Sequence, residues 1–394
     1  MKKLVCIFIA GLLFGCDDLV PKGPDVSNLL DGPVEGLSPA ENARFLRGDR
    51  AFNDEVFSPA NGLGPLFVAT SCGSCHPGDG KGHPFTTLTR FGQSDETGNH
   101  YLDRGGPQLQ NRAIAGYTPE TIPAGATFSK FTPPANTGLG FLAALTDEQI
   151  LSNADPNDTD GDGISGVPNY VAAPAYFIPS ASHQPNLGKY IGRFGKKAAA
   201  VDLMHQTVNA YNQDIGIMST YNAHDPLTGQ YNDPEVSDNT VLDVVFYLRT
   251  LKAPVQRDAS NEGVLAGKKV FHDIGCNKCH VSEWKTKLTD VPSLSEKNFH
   301  PYTDLLLHDM GPGLDDGYTE GNAKSYEWRT PALWGLGLSK NSQGGNYYLL
   351  HDGRATSIEA AINFHGGEGA SGSEKFNQLN EADKRSLIRF LESL

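Results

Sequence analysis

The chain has 394 residues and a formal net charge of −14 at pH 7, a balance that argues against a nucleic-acid partner and for an acidic, soluble surface suited to a basic partner. Its 44 glycines and 25 prolines demand extensive loops, so a compact all-helical bundle is not expected.

Lys2 and Lys3 precede an apolar run from Leu4 to Gly15, too short for a membrane span and of the length of a signal-peptide core. Cys6 lies inside it. The run ends Leu13-Phe14-Gly15-Cys16, which resembles a bacterial lipoprotein cleavage box, although Phe14 is bulkier than that box usually carries. Residues 1–16 therefore read as a lipoprotein-type signal peptide, with Cys16 the lipidated first residue of the mature protein; an ordinary secretory signal is the alternative. Either reading exports the chain to the periplasmic side of a bacterial envelope. Asp17 and Asp18 bear on which membrane retains it. Residues 17–40, Pro/Gly-rich from Val20 to Gly36, read as a tether, leaving roughly 355 residues, enough for two domains with their own cores.

Cys72-Gly73-Ser74-Cys75-His76 and Cys276-Asn277-Lys278-Cys279-His280 are two Cys-x-x-Cys-His pentapeptides, each the pattern of a c-type haem attachment site. Two thiols on one turn reach the two vinyl groups of one haem, and the adjacent histidine becomes the proximal iron ligand. A thioredoxin-type redox pair or half a zinc site needs no histidine directly after the second cysteine. Two covalent haems are expected, held by Cys72, Cys75 and His76 and by Cys276, Cys279 and His280.

An internal repeat surrounds these motifs. Leu46 to Asp54 aligns with Leu265 to Asp273, each an amphipathic helix leading to its motif. Val244, Tyr247, Leu248 and Leu251 match Leu387, Phe390, Leu391 and Leu394 as a closing apolar stripe. Opening helix, haem motif and closing helix is the order of a cytochrome c unit. The expected fold is mainly α with long loops, made of two cytochrome c-like domains, 41–254 and 255–394, joined through the linker Lys252 to Asn261.

Insertions lengthen the first copy. Asp158-Thr159-Asp160-Gly161-Asp162-Gly163-Ile164 opens like an EF-hand calcium loop, with Asp158, Asp160 and Asp162 as side-chain ligands and Ile164 through its carbonyl. Asn169 stands where that loop would carry its closing glutamate; a solvated Asp/Gly turn is the alternative. The sixth ligand decides what each haem does, because two strong protein ligands suit electron transfer and an open face admits peroxide or oxygen. The second copy offers His308, Met310, His351 and His365. The first offers His83, His100, His183, Met204, His205, Met218 and His224, some on a helix expected from Ala198 to Ile217.

Pro301 to Leu314, Glu327-Trp328-Arg329-Thr330-Pro331, Leu333 to Gly337, Leu350-His351-Asp352-Gly353-Arg354-Ala355 and Phe364-His365-Gly366-Gly367-Glu368 together resemble the bacterial di-haem oxidoreductase family of peroxidase and thiol oxidoreductase-like proteins. Gln108 to Ile114 and the loop Asp158 to Gly166 belong to the same pattern. More distantly the chain is similar to bacterial di-haem cytochrome c peroxidases and to the di-haem enzyme that matures the tryptophan-derived cofactor of methylamine dehydrogenase. The resemblance implies a second axial ligand on a helix after the Asp352-Gly353-Arg354 segment, at His365, with Met310 the runner-up. A bis-histidine His280/His365 iron is low-spin and of low potential, a departure from the methionine-ligated centre of the peroxidases.

The relatives also use a glutamate to move protons at the working haem. Gln110 and Glu120 are the expected wall of that pocket, with Arg112 steadying an anionic intermediate or pairing with a haem propionate. Trp328 and Trp334 are expected between the haems, Arg354 and Asp352 as an ion pair under the second haem, and Asp309 beside His308 as an orienting carboxylate. The implied function is an exported oxidoreductase in which the C-terminal haem takes electrons from a small periplasmic cytochrome or copper protein and the N-terminal haem reduces peroxide. The alternatives are an electron-transfer module with both irons six-coordinate, or oxygenase chemistry at the N-terminal haem as in distantly similar rubber-cleaving enzymes. A thiol oxidoreductase role would require free Cys-x-x-Cys thiols.

Overall fold

The computed structural model describes residues 25–95 and 98–394. The expected signal peptide with Cys6, the expected lipidation position Cys16 and the expected tether up to residue 24 lie outside the described residues. About a third of the chain is helical, and its short strands pair two by two. The elements that position the site are, in chain order, α1 (Pro39–Asn53), β1 (Leu88–Phe91), β2 (Phe128–Phe131), α2 (Leu203–Asn209), α3 (Asp238–Thr250), α4 (Glu262–Asp273), β3 (Leu307–Asp309), β4 (Glu327–Arg329), α5 (Ile358–Asn363) and α6 (Glu381–Ser393).

α1 starts where the sequence supplies a capping box: the Ser38 hydroxyl accepts from the Glu41 amide, the Glu41 carboxylate accepts from the Ser38 amide, and Pro39 occupies the first turn. Its buried stripe Phe45, Gly48, Phe52 crosses α3, with Phe45 and Phe52 ring centroids 5.0 and 5.6 Å from that of Tyr247. A Cβ at Gly48 would stand 2.1 Å from the Asp243 carbonyl oxygen, so only glycine permits this crossing. Asp243 in turn takes Arg44 at 3.0 Å and Arg47 at 2.7 Å.

α4 crosses α6 in the same way. Phe271 and Phe390 meet at 5.4 Å, and a Cβ at Gly267 would lie 1.9 Å from the Ser386 carbonyl oxygen. Gly48 and Gly267 occupy equivalent places in the internal repeat, so the repeat in sequence is also a repeat in packing. Each motif follows its opening helix and forms one turn, with His76 N–H donating to Cys72 O at 3.1 Å and His280 N–H to Cys276 O at 3.0 Å.

The core of the first helix pair does not stop at the linker. Phe45, Phe52, Val244 and Tyr247 share one buried cluster with Trp284, Leu294, Phe299, Leu305 and Trp334, whereas α4 and α6 enclose a second with Phe271, Leu387 and Phe390. The acidic insertion also reaches across: Val167 and Leu307 exchange backbone hydrogen bonds at 2.9 and 2.8 Å. The helix expected over 198–217 begins only at Leu203, because Ala198 has φ +51° and the Asp202 carboxylate caps the His205 amide. Beyond Asn209 it widens into a π-helical turn, Ala210–Ile215.

Candidate functional site

One cavity of about 880 Å³ is lined by both pentapeptides: Cys72, Cys75 and His76 on one side, Cys276, Cys279 and His280 on the other. Each histidine is fixed by a backbone carbonyl. His76 Nδ1–H donates to Pro134 O at 2.8 Å and His280 Nδ1–H to Tyr302 O at 2.9 Å. Burial pushes both imidazoles down to about 4, so at neutral pH each ring is uncharged and its Nε2 lone pair is available to a metal. Burial pushes the thiols the other way, Cys72 and Cys276 up to about 12 and Cys75 to about 11. Raised thiols are poor thiolate nucleophiles, which weighs against a thiol oxidoreductase role.

The ligand candidates of the second copy separate cleanly. His365 lines the cavity, its Nδ1–H donates to Ala361 O at 2.8 Å, and its charge is felt at His280; among the described residues its Nε2 meets no partner. His308 has no free nitrogen. Nε2 meets Asp304 at 2.8 Å and Nδ1 meets Glu368 at 2.6 Å. Burial opposes a charge there, yet hydrogen bonds to Asp304, Cys279 and Glu368 hold the ring well above its ordinary value, as an imidazolium. His351 Nε2 is committed to Asp316 at 2.7 Å. Met310 lines the cavity and packs beside Phe131, Leu314 and Trp328.

Among the first-copy histidines and methionines singled out in the sequence, only His205 lines the cavity. Its Nδ1 accepts from the Val201 amide at 3.4 Å, which leaves the neutral ring's proton on Nε2 and no lone pair directed outward. His83 accepts from the Phe85 amide, His100 pairs with Asp95, and Met218 is buried beside Asn212.

Gln110, Glu120 and Arg112 are not brought to the cavity. Burial pushes Glu120 up to about 7, but its carboxylate accepts from the Gln110 amide at 2.5 Å. The Gln110 side chain donates to Asn212 O and Gln213 O, and Arg112 is exposed. Gln110 and Glu120 belong to the packing behind the wall, while the exposed Arg112 acts on Cys75 of the first motif by its charge. The wall itself includes Asp214, which no sequence pattern marked.

Trp328 and Trp334 both line the cavity. One face of Trp328 stacks on His351 at 3.7 Å and an interplanar angle of 7°, and the buried Lys197 ammonium stands 3.8 Å from its centroid. Arg354 pairs with Asp352 at 2.7 Å, and also with Asp316 at 3.1 Å. Asp309 caps the Gly311 amide and does not orient His308.

In the acidic loop, ligand atoms of Asp155, Asp158 and Asp160 gather within 4.8 Å of one another. Asp162 departs from the expected set: its carboxylate takes Lys278 of the second motif at 2.7 Å. The Ile164 amide donates to Asp162 Oδ1, and Asn169 turns inward to the carbonyls of Lys197 and Glu320.

Residues 130–394 match the family described as "Di-haem oxidoreductase, putative peroxidase". The chain belongs to the di-haem oxidoreductase family. The matched stretch contains the second motif, and the first precedes it. No curated protein matches the chain. Among solved structures, hydrazine synthase of Kuenenia stuttgartiensis under xenon pressure is similar over 100% of both chains, at 13% identity and a TM-score of 0.41.

Haem is the cofactor this family implies, and the cavity suits it on grounds beyond the motifs. Lys81, Lys196 and Arg329 all line it, and among the described residues none has a carboxylate within ion-pair distance. Burial lowers Lys81 to about 8 and Arg329 to about 10, and it lowers Lys196 well below its ordinary value, with the Lys81 and Arg329 charges adding to the effect. Three neighbouring cations facing one cavity are costly to bury without an anionic partner. The carboxylates of haem propionates are such partners.

Proposed function

We propose that this protein is an exported di-haem c-type oxidoreductase that reduces peroxide, built of two cytochrome c-like halves with unequal haem sites. Cys72, Cys75 and His76 would hold one haem and Cys276, Cys279 and His280 the other, each through two thioethers and one imidazole. When bound, the haems supply one-electron chemistry and an iron face for the substrate. The chain's own residues set the rest: Pro134 O and Tyr302 O fix the tautomers of the proximal histidines, and Lys81, Lys196 and Arg329 receive carboxylates.

The observation that carries this reading is the asymmetry of ligand atoms. His365 presents a free Nε2 on the His280 side, whereas His205, the cavity histidine of the first copy, has its lone pair occupied. The His280/His365 site therefore suits electron entry from a small periplasmic cytochrome or copper protein, and the His76 site suits peroxide. Asp155, Asp158 and Asp160 are proposed to take calcium, which would fix the insertion against the second motif through Asp162 and Lys278; a chelator is expected to lower the unfolding midpoint, and an unchanged midpoint counts against the ion. Lipidation at Cys16 is proposed as the membrane anchor, and Cys16→Ser is expected to release the protein from the membrane fraction.

Mixing the fully reduced holoprotein with hydrogen peroxide in a stopped-flow instrument tests the function. Rapid oxidation with two electrons consumed per peroxide is expected. Oxidation no faster than that of a six-coordinate cytochrome would instead support an electron-transfer module.

A further inference from the structure

We propose that Asp214 is the acid that protonates the departing oxygen of peroxide at the His76 site, an assignment that rests on the peroxide-reducing reading above. The residue sits on the π-helical turn Ala210–Ile215, a widened backbone of the kind often found at functional sites. Its carbonyl is pinned by the amides of Val68 at 2.7 Å and Ala69 at 3.0 Å, so the turn is fixed to the segment just before the first motif. The residue lines the cavity and the charge of its carboxylate is felt at both Cys72 and Cys75. No hydrogen-bond donor reaches its carboxylate among the described residues, whereas Glu120, away from the cavity, accepts from the Gln110 amide on one oxygen and keeps the other buried without a partner among the described residues.

The charged and titratable groups facing Asp214 are few. Arg90 comes from β1, but it is shared with Glu320 in an ion pair and with the Gln213 side chain at 3.0 Å; the Cys72 and Cys75 thiols feel the Asp214 charge, and among the described residues Glu55 acts on the first thiol and Arg112 on the second. Burial is the dominant influence, raising the carboxyl to about 7 against the opposing pull of Arg90. A carboxyl poised there is protonated for part of the time near neutral pH and can give its proton up, which is what general acid catalysis requires.

The reaction balances without further reagents. Hydrogen peroxide takes two electrons from the reduced donor protein and two protons, its O–O bond breaks, and two waters form. Asp214 supplies one proton to the leaving oxygen and is reprotonated from solvent. Because the protonated form acts, turnover limited by this step falls as pH rises through about 7.

Asp214→Asn and Asp214→Glu, each purified as the holoprotein, test the assignment. Asp214→Asn is expected to lower kcat for peroxide by about 10²–10⁴-fold and to remove the fall in turnover around pH 7. Asp214→Glu is expected to restore part of both. A second readout needs no turnover: the reduction potential of the His76-side haem should depend on pH around 7 in the wild type, and this dependence should flatten in Asp214→Asn. A wild type that does not reduce peroxide overturns the parent reading. A wild type that does, beside an Asp214→Asn protein with unchanged kcat and an unchanged pH dependence of rate and potential, overturns the role of Asp214 alone.

Discussion

His308 and His365 carry the same side chain beside the same motif, and their hydrogen bonds give them opposite chemistry. Two carboxylates hold His308 as a charged, coordinatively inert ring, while backbone carbonyls on one side leave His365 neutral with a nitrogen that meets no partner among the described residues. Lys196 illustrates the same dependence on surroundings. It stands near His76 and between the charges of Lys81 and Arg329, so Lys196→Gln is expected to shift the reduction potential of the His76-side haem downward, since a nearby cation favours the state with one more electron. Spectroelectrochemical titration reads this, and an unshifted potential counts against the carboxylate-receiving role. Asp316 gives a pH prediction. Burial alone would raise its carboxyl, but His351, Ser129 and Arg354 hold it at about 2, below its ordinary 3.8. Its contribution to stability is therefore present above the unfolded value and lost as pH falls through about 2. Urea unfolding should show wild type and Asp316→Asn diverging above pH 4 and converging below it.

The helix crossings are the elements most legible in the sequence. The aligned glycines and apolar stripes mark both pairs, since a close crossing demands a missing Cβ at one place and large apolar groups at neighbouring ones. Gly48→Ala and Gly267→Ala each drive a methyl into a backbone carbonyl rather than into a movable side chain. Each is expected to cost about 1–3 kcal/mol, measured as a lower thermal midpoint of the holoprotein; an unchanged midpoint would show that the crossings are looser than described. The middle of the chain was less legible. The helix expected from Ala198 starts late because a local cap at Asp202 and a left-handed residue at Ala198 override apolar periodicity. Its π-helical end has no signature in residue spacing at all.

At the scale of the whole molecule, the two halves are less separable than their sequence repeat suggests. Residues 284–334 complete the first core, and the acidic insertion ties itself to the second motif through Asp162–Lys278 and Ser165–Glu368. Local patterns such as Cys-x-x-Cys-His are legible because their chemistry is fixed by short spacing. Lys81, Lys196 and Arg329, and with them Asp214, are not, because they converge from distant stretches and mean nothing until the chain is folded. Glu120 and Gln110 show the converse: a plausible spacing for a catalytic wall, spent on a hydrogen bond between them and on Gln110's bonds to the carbonyls of the π-helical turn.

The proposed inequality of two iron sites is the consequence on which the functional reading depends. Electron paramagnetic resonance of the fully oxidised holoprotein, wild type beside His365→Ala, reads it directly. A low-spin bis-imidazole signal that disappears in His365→Ala, together with a second, high-spin signal that does not change, is the predicted result. Two low-spin signals in the wild type, both surviving the substitution, would contradict it.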